Sequence, residues 1–97
     1  MKLNKKIIIN KIGKNKKQLR ARGVKKIGIF GSFAKDKYSK TSDIDVLVKF
    51  ENVNFDNYIG LLFFLERIFK KKIDLVIEDD LKPELKYVKK EAEYVKI

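Results

Sequence analysis

Residues 27–50, IGIFGSFAKDKYSKTSDIDVLVKF, hold the signal that decides how the rest of the chain is read. Ile27, Ile29 and Phe30, with Gly28 among them, form a short apolar run that predicts a buried strand. Gly31-Ser32 breaks that run. After ten intervening residues, Asp43-Ile44-Asp45 opens a second apolar run, Val46-Leu47-Val48. Side chains two apart on a strand share a face, so Asp43 and Asp45 aim together while Ile44 and Val46 face the core. Two carboxylates placed side by side repel unless a cation lies between them, and a hard divalent ion such as Mg²⁺ takes such oxygen pairs together with substrate phosphates.

Gly31-Ser32 supplies the complementary half. Glycine allows close approach of a phosphate to the backbone. Ser32 is expected as the N-cap of a short helix through Phe33, Ala34 and Lys35, whose free N–H groups would face an anion. A Gly-Ser pair or an Asp-x-Asp taken singly is common in turns, where the carboxylates are merely solvated. Both halves, each at the mouth of an apolar strand, point to a metal-dependent phosphate site.

Composition narrows the chemistry. The 97 residues contain no cysteine and no histidine, which excludes thiolate nucleophiles, disulfides and imidazole ligands or bases. Carboxylates are left as the candidate ligands and bases. At 44% hydrophobic residues the chain should fold as one small domain with one modest core. No apolar run approaches the roughly 18 residues of a membrane span, and polar residues interrupt any signal-peptide core, so a cytoplasmic location without membrane attachment is expected.

The net charge of +11 is unevenly spread. Residues 1–26 carry eleven Lys and Arg and no acid, whereas residues 27–97 carry thirteen of each sign. This basic segment suits nucleic acid, nucleotide phosphates or an acidic partner, or else is a solvated lysine-rich helix face. It has no aromatic side chain for base stacking.

Around this centre, Leu3, Ile7, Ile8 and Ile12 predict one apolar helix stripe, ended or kinked by Gly13. A second helical stretch is expected over 14–22, with Leu19 and Ala21 inward and Gly23 beyond its end. A long helix from 55 to about 71, capped by Asn54, carries more than one apolar face. Its surplus would meet either a partner or the N-terminal helices. A third strand over 72–77 places Asp74 on the face opposite Ile73 and Leu75, where it could join the first two carboxylates if the strands are neighbours. A last helix from 84 to about 91 and a short edge strand over 93–97 complete the pattern. Strands interleaved with helices imply an α/β (α+β) domain around a mixed sheet.

The string GSFAKDKYSKTSDIDVLVKF resembles the signature of the nucleotidyltransferase superfamily that includes DNA polymerase β, and within it the minimal nucleotidyltransferase (MNT) domains. These commonly occur as antitoxins beside HEPN-domain toxins. The resemblance runs from about Gly23 to the C-terminus and implies a polymerase-β-like core over 1–97, preceded by the basic helical segment of about 1–23. It further implies two Mg²⁺ ions held by Asp43, Asp45 and Asp74 as catalytic ligands. Gly31, Ser32 and Lys35 would bind the triphosphate of ATP. The implied activity is transfer of AMP to a tyrosine hydroxyl of a HEPN toxin, within a hetero-oligomer. Where the family usually shows Ala-Arg-Gly, this chain has Ala34-Lys35-Asp36, which exchanges a bidentate fork for a point charge and adds a negative charge. The acceptor would come from the partner, because only about twenty residues follow the third carboxylate. Two other readings remain open at this point: a non-catalytic module that neutralises a toxin by stoichiometric contact, and a nucleotide-adding or nucleic-acid-binding subunit.

Overall fold

The computed structural model describes residues 3–97, so the first two residues of the basic segment lie outside it. The chain begins with α1 (Lys5–Lys14), α2 (Lys16–Ala21) and strand β1 (Val24–Phe30). The one-turn helix α3 (Gly31–Ala34), strand β2 (Ile44–Phe50), the long helix α4 (Phe55–Phe69) and strand β3 (Ile73–Ile77) follow. Two 3₁₀ turns, Glu78–Asp80 and Pro83–Leu85, lead to α5 (Tyr87–Glu91) and the edge strand β4 (Glu93–Val95).

The sheet order is β3-β2-β1-β4, with β2 and β3 parallel and the other pairs antiparallel. The expected α/β architecture, a mixed sheet flanked by helices, is what forms. A parallel neighbour needs a long crossover, and α4 provides it. Ile44, Val46 and Val48 on β2 join Ile27, Ile29, Ile73 and Leu75 in one buried cluster with Ile8, Ile12, Leu19, Leu61 and Leu65 from the helices. Leu47 is also fully buried but belongs to the other face of the sheet, outside that cluster. Alternation along β2 therefore puts Asp45 on the face away from α1 and α4. Gly28 lies on that face too, and a Cβ there would sit 2.9 Å from the Glu93 carbonyl oxygen and 3.0 Å from the Tyr94 ring. Its missing side chain lets β4 lie close against β1.

Local chemistry accounts for the helix boundaries. The Asn4 and Asn54 side chains each accept a hydrogen bond from a backbone N–H three residues on, both at 2.8 Å, opening α1 and α4. Such caps contribute about 1 kcal/mol each. Gly13 does not end α1, which continues to Lys14; the break comes at Asn15, whose side chain turns back to the Lys11 carbonyl. Ala21, expected inward, is exposed. The last helix is shorter than expected, because the segment at Pro83 closes a 3₁₀ turn and α5 starts only at Tyr87. The N-terminal helices cover part of the apolar surplus on α4: Arg22 lies over the Phe64 ring and Lys11 over Phe69. Phe55 and Phe63 remain 74% and 63% exposed. No helix among the described residues is long and apolar enough to cross a membrane.

Candidate active site

Strand register brings the carboxylates together. Asp45 on β2 pairs with Asp74 on β3 in the parallel ladder and with Phe30, the last residue of β1, in the antiparallel one. Gly31 and α3 therefore emerge directly beside Asp45. Burial, first of all, raises the Asp45 carboxyl from its ordinary value to about 6. The charge of Asp74 and a hydrogen bond shared with it add to the rise, as does the charge of Asp43, while the Ser32 backbone N–H pulls the other way. The closest partnership thus crosses strands, between Asp45 and Asp74. Asp43 precedes β2 and acts on Asp45 through its charge. Among the described residues, no three acidic side chains are yet gathered closely enough to enclose an ion.

None of the ion pairs among the described residues reaches Asp43, Asp45 or Asp74. The donors are oxygen only, negatively charged and unneutralised, and one of them is pushed toward protonation. That set fits a hard divalent cation such as Mg²⁺.

A stability consequence follows. The folded-state pKa of Asp45 lies above its unfolded value, so ionising this group costs the native state. The penalty is absent below about pH 4, grows as the pH rises and is complete above about 6. Discounted for the group's partial exposure, it is on the order of 1 kcal/mol. Without metal, Asp45→Asn should raise the melting temperature at pH 7 by about 4–8 °C per kcal/mol. Thermal melts at pH 4 and pH 7 check this: the gain must vanish at the lower pH.

Gly31 has φ +69°, and α3 starts at that residue, so Ser32 lies inside the helix rather than capping it. Lys35 ends the helix and Asp36 follows with φ +55°. The position where the family resemblance expects glycine does adopt the left-handed conformation, which aspartate tolerates better than most residues. Asp36→Gly should therefore fold at least as well while removing a negative charge, and ATP binding should tighten severalfold by calorimetry. The loop beyond is tied within itself, where Ser39 N–H donates to Ser42 Oγ at 2.9 Å, and to the segment after α4, where Lys71 Nζ donates to the Lys40 carbonyl at 2.9 Å. A cavity of about 1000 Å³ lies behind this loop among Lys11, Phe33, Tyr38, Lys40, Phe69 and Lys71 and is lined by none of the three carboxylates.

Sequence reading passes over two acidic residues that the fold puts to use. Glu78 is 6% exposed, and its Oε1 lies 3.8 Å from Lys26 Nζ and 3.6 Å from Lys89 Nζ. Burial, and then the charge of Glu78, raise the pKa of the Tyr94 hydroxyl. The Glu78 Oε2 and Tyr94 hydroxyl oxygens are both buried and close no hydrogen bond of standard geometry. Glu91, at the end of α5, meets Lys35. Nothing local in the sequence marked either Glu78 or Glu91.

Comparison with known proteins bears on the family and the fold. The model of the nucleotidyltransferase domain family matches residues 9–96. The chain belongs to this family. Protein adenylyltransferase MntA of Thermococcus cleftensis is 39% identical over 84 residues, covering 84% of this nucleotidyltransferase and 85% of the relative. A solved structure assigned by inference as a minimal nucleotidyltransferase superposes with a TM-score of 0.81 at 26% identity, covering 94% of this chain and 95% of the other. The MNT antitoxin in complex with the tri-AMPylated Shewanella oneidensis HEPN toxin shares the fold, with a TM-score of 0.64 at 21% identity over 93% of this chain and 70% of that one.

Proposed function

We propose that residues 1–97 form a minimal nucleotidyltransferase domain acting as a cytoplasmic antitoxin, which transfers AMP from ATP to a tyrosine hydroxyl of a cognate HEPN-domain toxin. The observation that carries the reading is the unneutralised Asp45–Asp74 pair beside Gly31, in a chain whose relative MntA is a protein adenylyltransferase. Asp43, Asp45 and Asp74 would hold two Mg²⁺ ions. When bound, these supply Lewis-acid polarisation and charge neutralisation at the phosphates.

The protein's own part is placement and proton handling. Gly31 offers its backbone to the triphosphate without a Cβ in the way, Ser32 offers its hydroxyl, and Lys35 offers a positive charge. Asp74, exposed at the sheet edge, faces the incoming acceptor and takes the tyrosine proton. The phenolic oxygen then bonds to the α-phosphorus, the bond from that phosphorus to the bridging oxygen breaks, and pyrophosphate leaves with the electron pair. Aligning the attacking and leaving oxygens supplies most of the rate gain.

Exposed Phe55 and Phe63 favour a second, compatible role, in which α4 contacts the toxin and neutralises it stoichiometrically. Pyrophosphate release tests the catalytic reading. It should require ATP, Mg²⁺ and the cognate toxin together; its absence from the complete mixture would overturn that reading.

A further inference from the structure

We propose that Glu91 sets the nucleotide affinity of this site by competing with the triphosphate for Lys35. The inference rests on the reading of Lys35 as a triphosphate ligand. Lys35 stands three residues after Ser32 and caps the C-terminal end of the one-turn helix α3. Its Nζ lies 3.2 Å from Glu91 Oε2, with the two side chains 52% and 43% exposed. The cation that caps α3 is thus already held by a carboxylate from the C-terminal segment.

That carboxylate is carried by a weakly anchored element. Neither the Pro83–Leu85 turn nor α5 contributes a buried side chain. The segment is held instead by Lys89–Glu78, Lys35–Glu91 and the pairing of β4 with β1. Few apolar contacts mean a low cost of local opening. An incoming triphosphate, with a far higher charge density than one carboxylate, takes Lys35 over, and Glu91 is left beside it as a like charge. Glu91→Gln removes both the competitor and the repulsion. Because the pair is half exposed and screened, the gain is about two- to fivefold at low salt and shrinks as ionic strength rises.

Calorimetric titration of Mg²⁺·ATP into wild type, Glu91→Gln, Lys35→Ala and the double variant tests this, with adenosine as the phosphate-free control. Glu91→Gln should bind ATP two- to fivefold more tightly and adenosine no differently. Lys35→Ala should bind ATP more weakly, and adding Glu91→Gln to it should recover little, since the effect runs through the lysine. If Glu91→Gln does not tighten ATP although Lys35→Ala weakens it, the competition is refuted while Lys35 keeps its role. An equal gain in the Lys35→Ala background would also refute it, as a general charge effect. If Lys35→Ala leaves ATP affinity unchanged, the underlying reading of Lys35 fails, and this inference with it.

Discussion

Asp45→Asn should lower the rate of AMP transfer by more than about a hundredfold while leaving the protein folded. Asp45 is the centre of the site: Asp74 is its register partner, Asp43 precedes it by two residues, and Gly31 presses against its carboxylate. Asparagine keeps the shape but loses one negative oxygen and presents N–H donors where a cation or phosphate is to be held. Outer-shell partners of a metal are commonly worth about ten- to a hundredfold, so a direct ligand should cost at least the upper end. The same substitution raises the stability of the metal-free protein, because it removes an ionisation that burial opposes. Lost activity together with a higher melting temperature separates a catalytic role from an unfolding artefact. Retention of more than about a tenth of wild-type transfer would remove Asp45 from the chemistry.

Gly31→Ala should damage both fold and site. A Cβ at this position would be driven onto Asp45 Oδ2 and would lie 3.0 Å from its Cγ. The backbone cannot swing away, since Phe30 is in ladder with Asp45 and Lys37 N–H is bonded to the Ser32 carbonyl at 2.8 Å. A φ of +69° adds about 1–2 kcal/mol of strain for any residue with a Cβ. With the displaced carboxylate included, a loss of about 2–4 kcal/mol is expected, which for a domain of this size lowers the melting temperature by 10 °C or more. ATP binding should fall with it. A variant that melts and binds ATP like wild type would show that Gly31 and Asp45 are not held against one another.

The strands and the first carboxylates were legible because they depend on short-range order: alternation of apolar residues and a fixed spacing between Gly31-Ser32 and Asp43-Ile44-Asp45. Asp74 was legible as a face of β3, but its position beside Asp45 depended on β2 and β3 being neighbours. That follows from the α4 crossover, not from any local motif. For the same reason the tightest carboxylate contact lies across strands instead of within Asp-x-Asp. The start of α3 was expected two residues late: Gly31 itself makes the turn into the helix, Phe30 takes the N-cap position and Ser32 becomes an interior residue. The break after Lys14 was assigned to Gly13, although the Asn15 side chain, bonding back to a carbonyl, is what interrupts the helix. Glu78 and Glu91 were invisible because their partners are distant in sequence: Lys26 far upstream and Lys89 downstream of Glu78, and Lys35 far upstream of Glu91.

Intact-mass spectrometry of the cognate HEPN toxin, after incubation with this protein, ATP and Mg²⁺, tests the central claim most directly. The wild-type protein should add AMP covalently to a toxin tyrosine, and Asp43→Ala and Asp45→Ala should fail to do so while still binding the toxin through the untouched α4. If the toxin is inhibited with its mass unchanged, and the carboxylate variants inhibit it equally well, neutralisation is stoichiometric and the catalytic account is wrong.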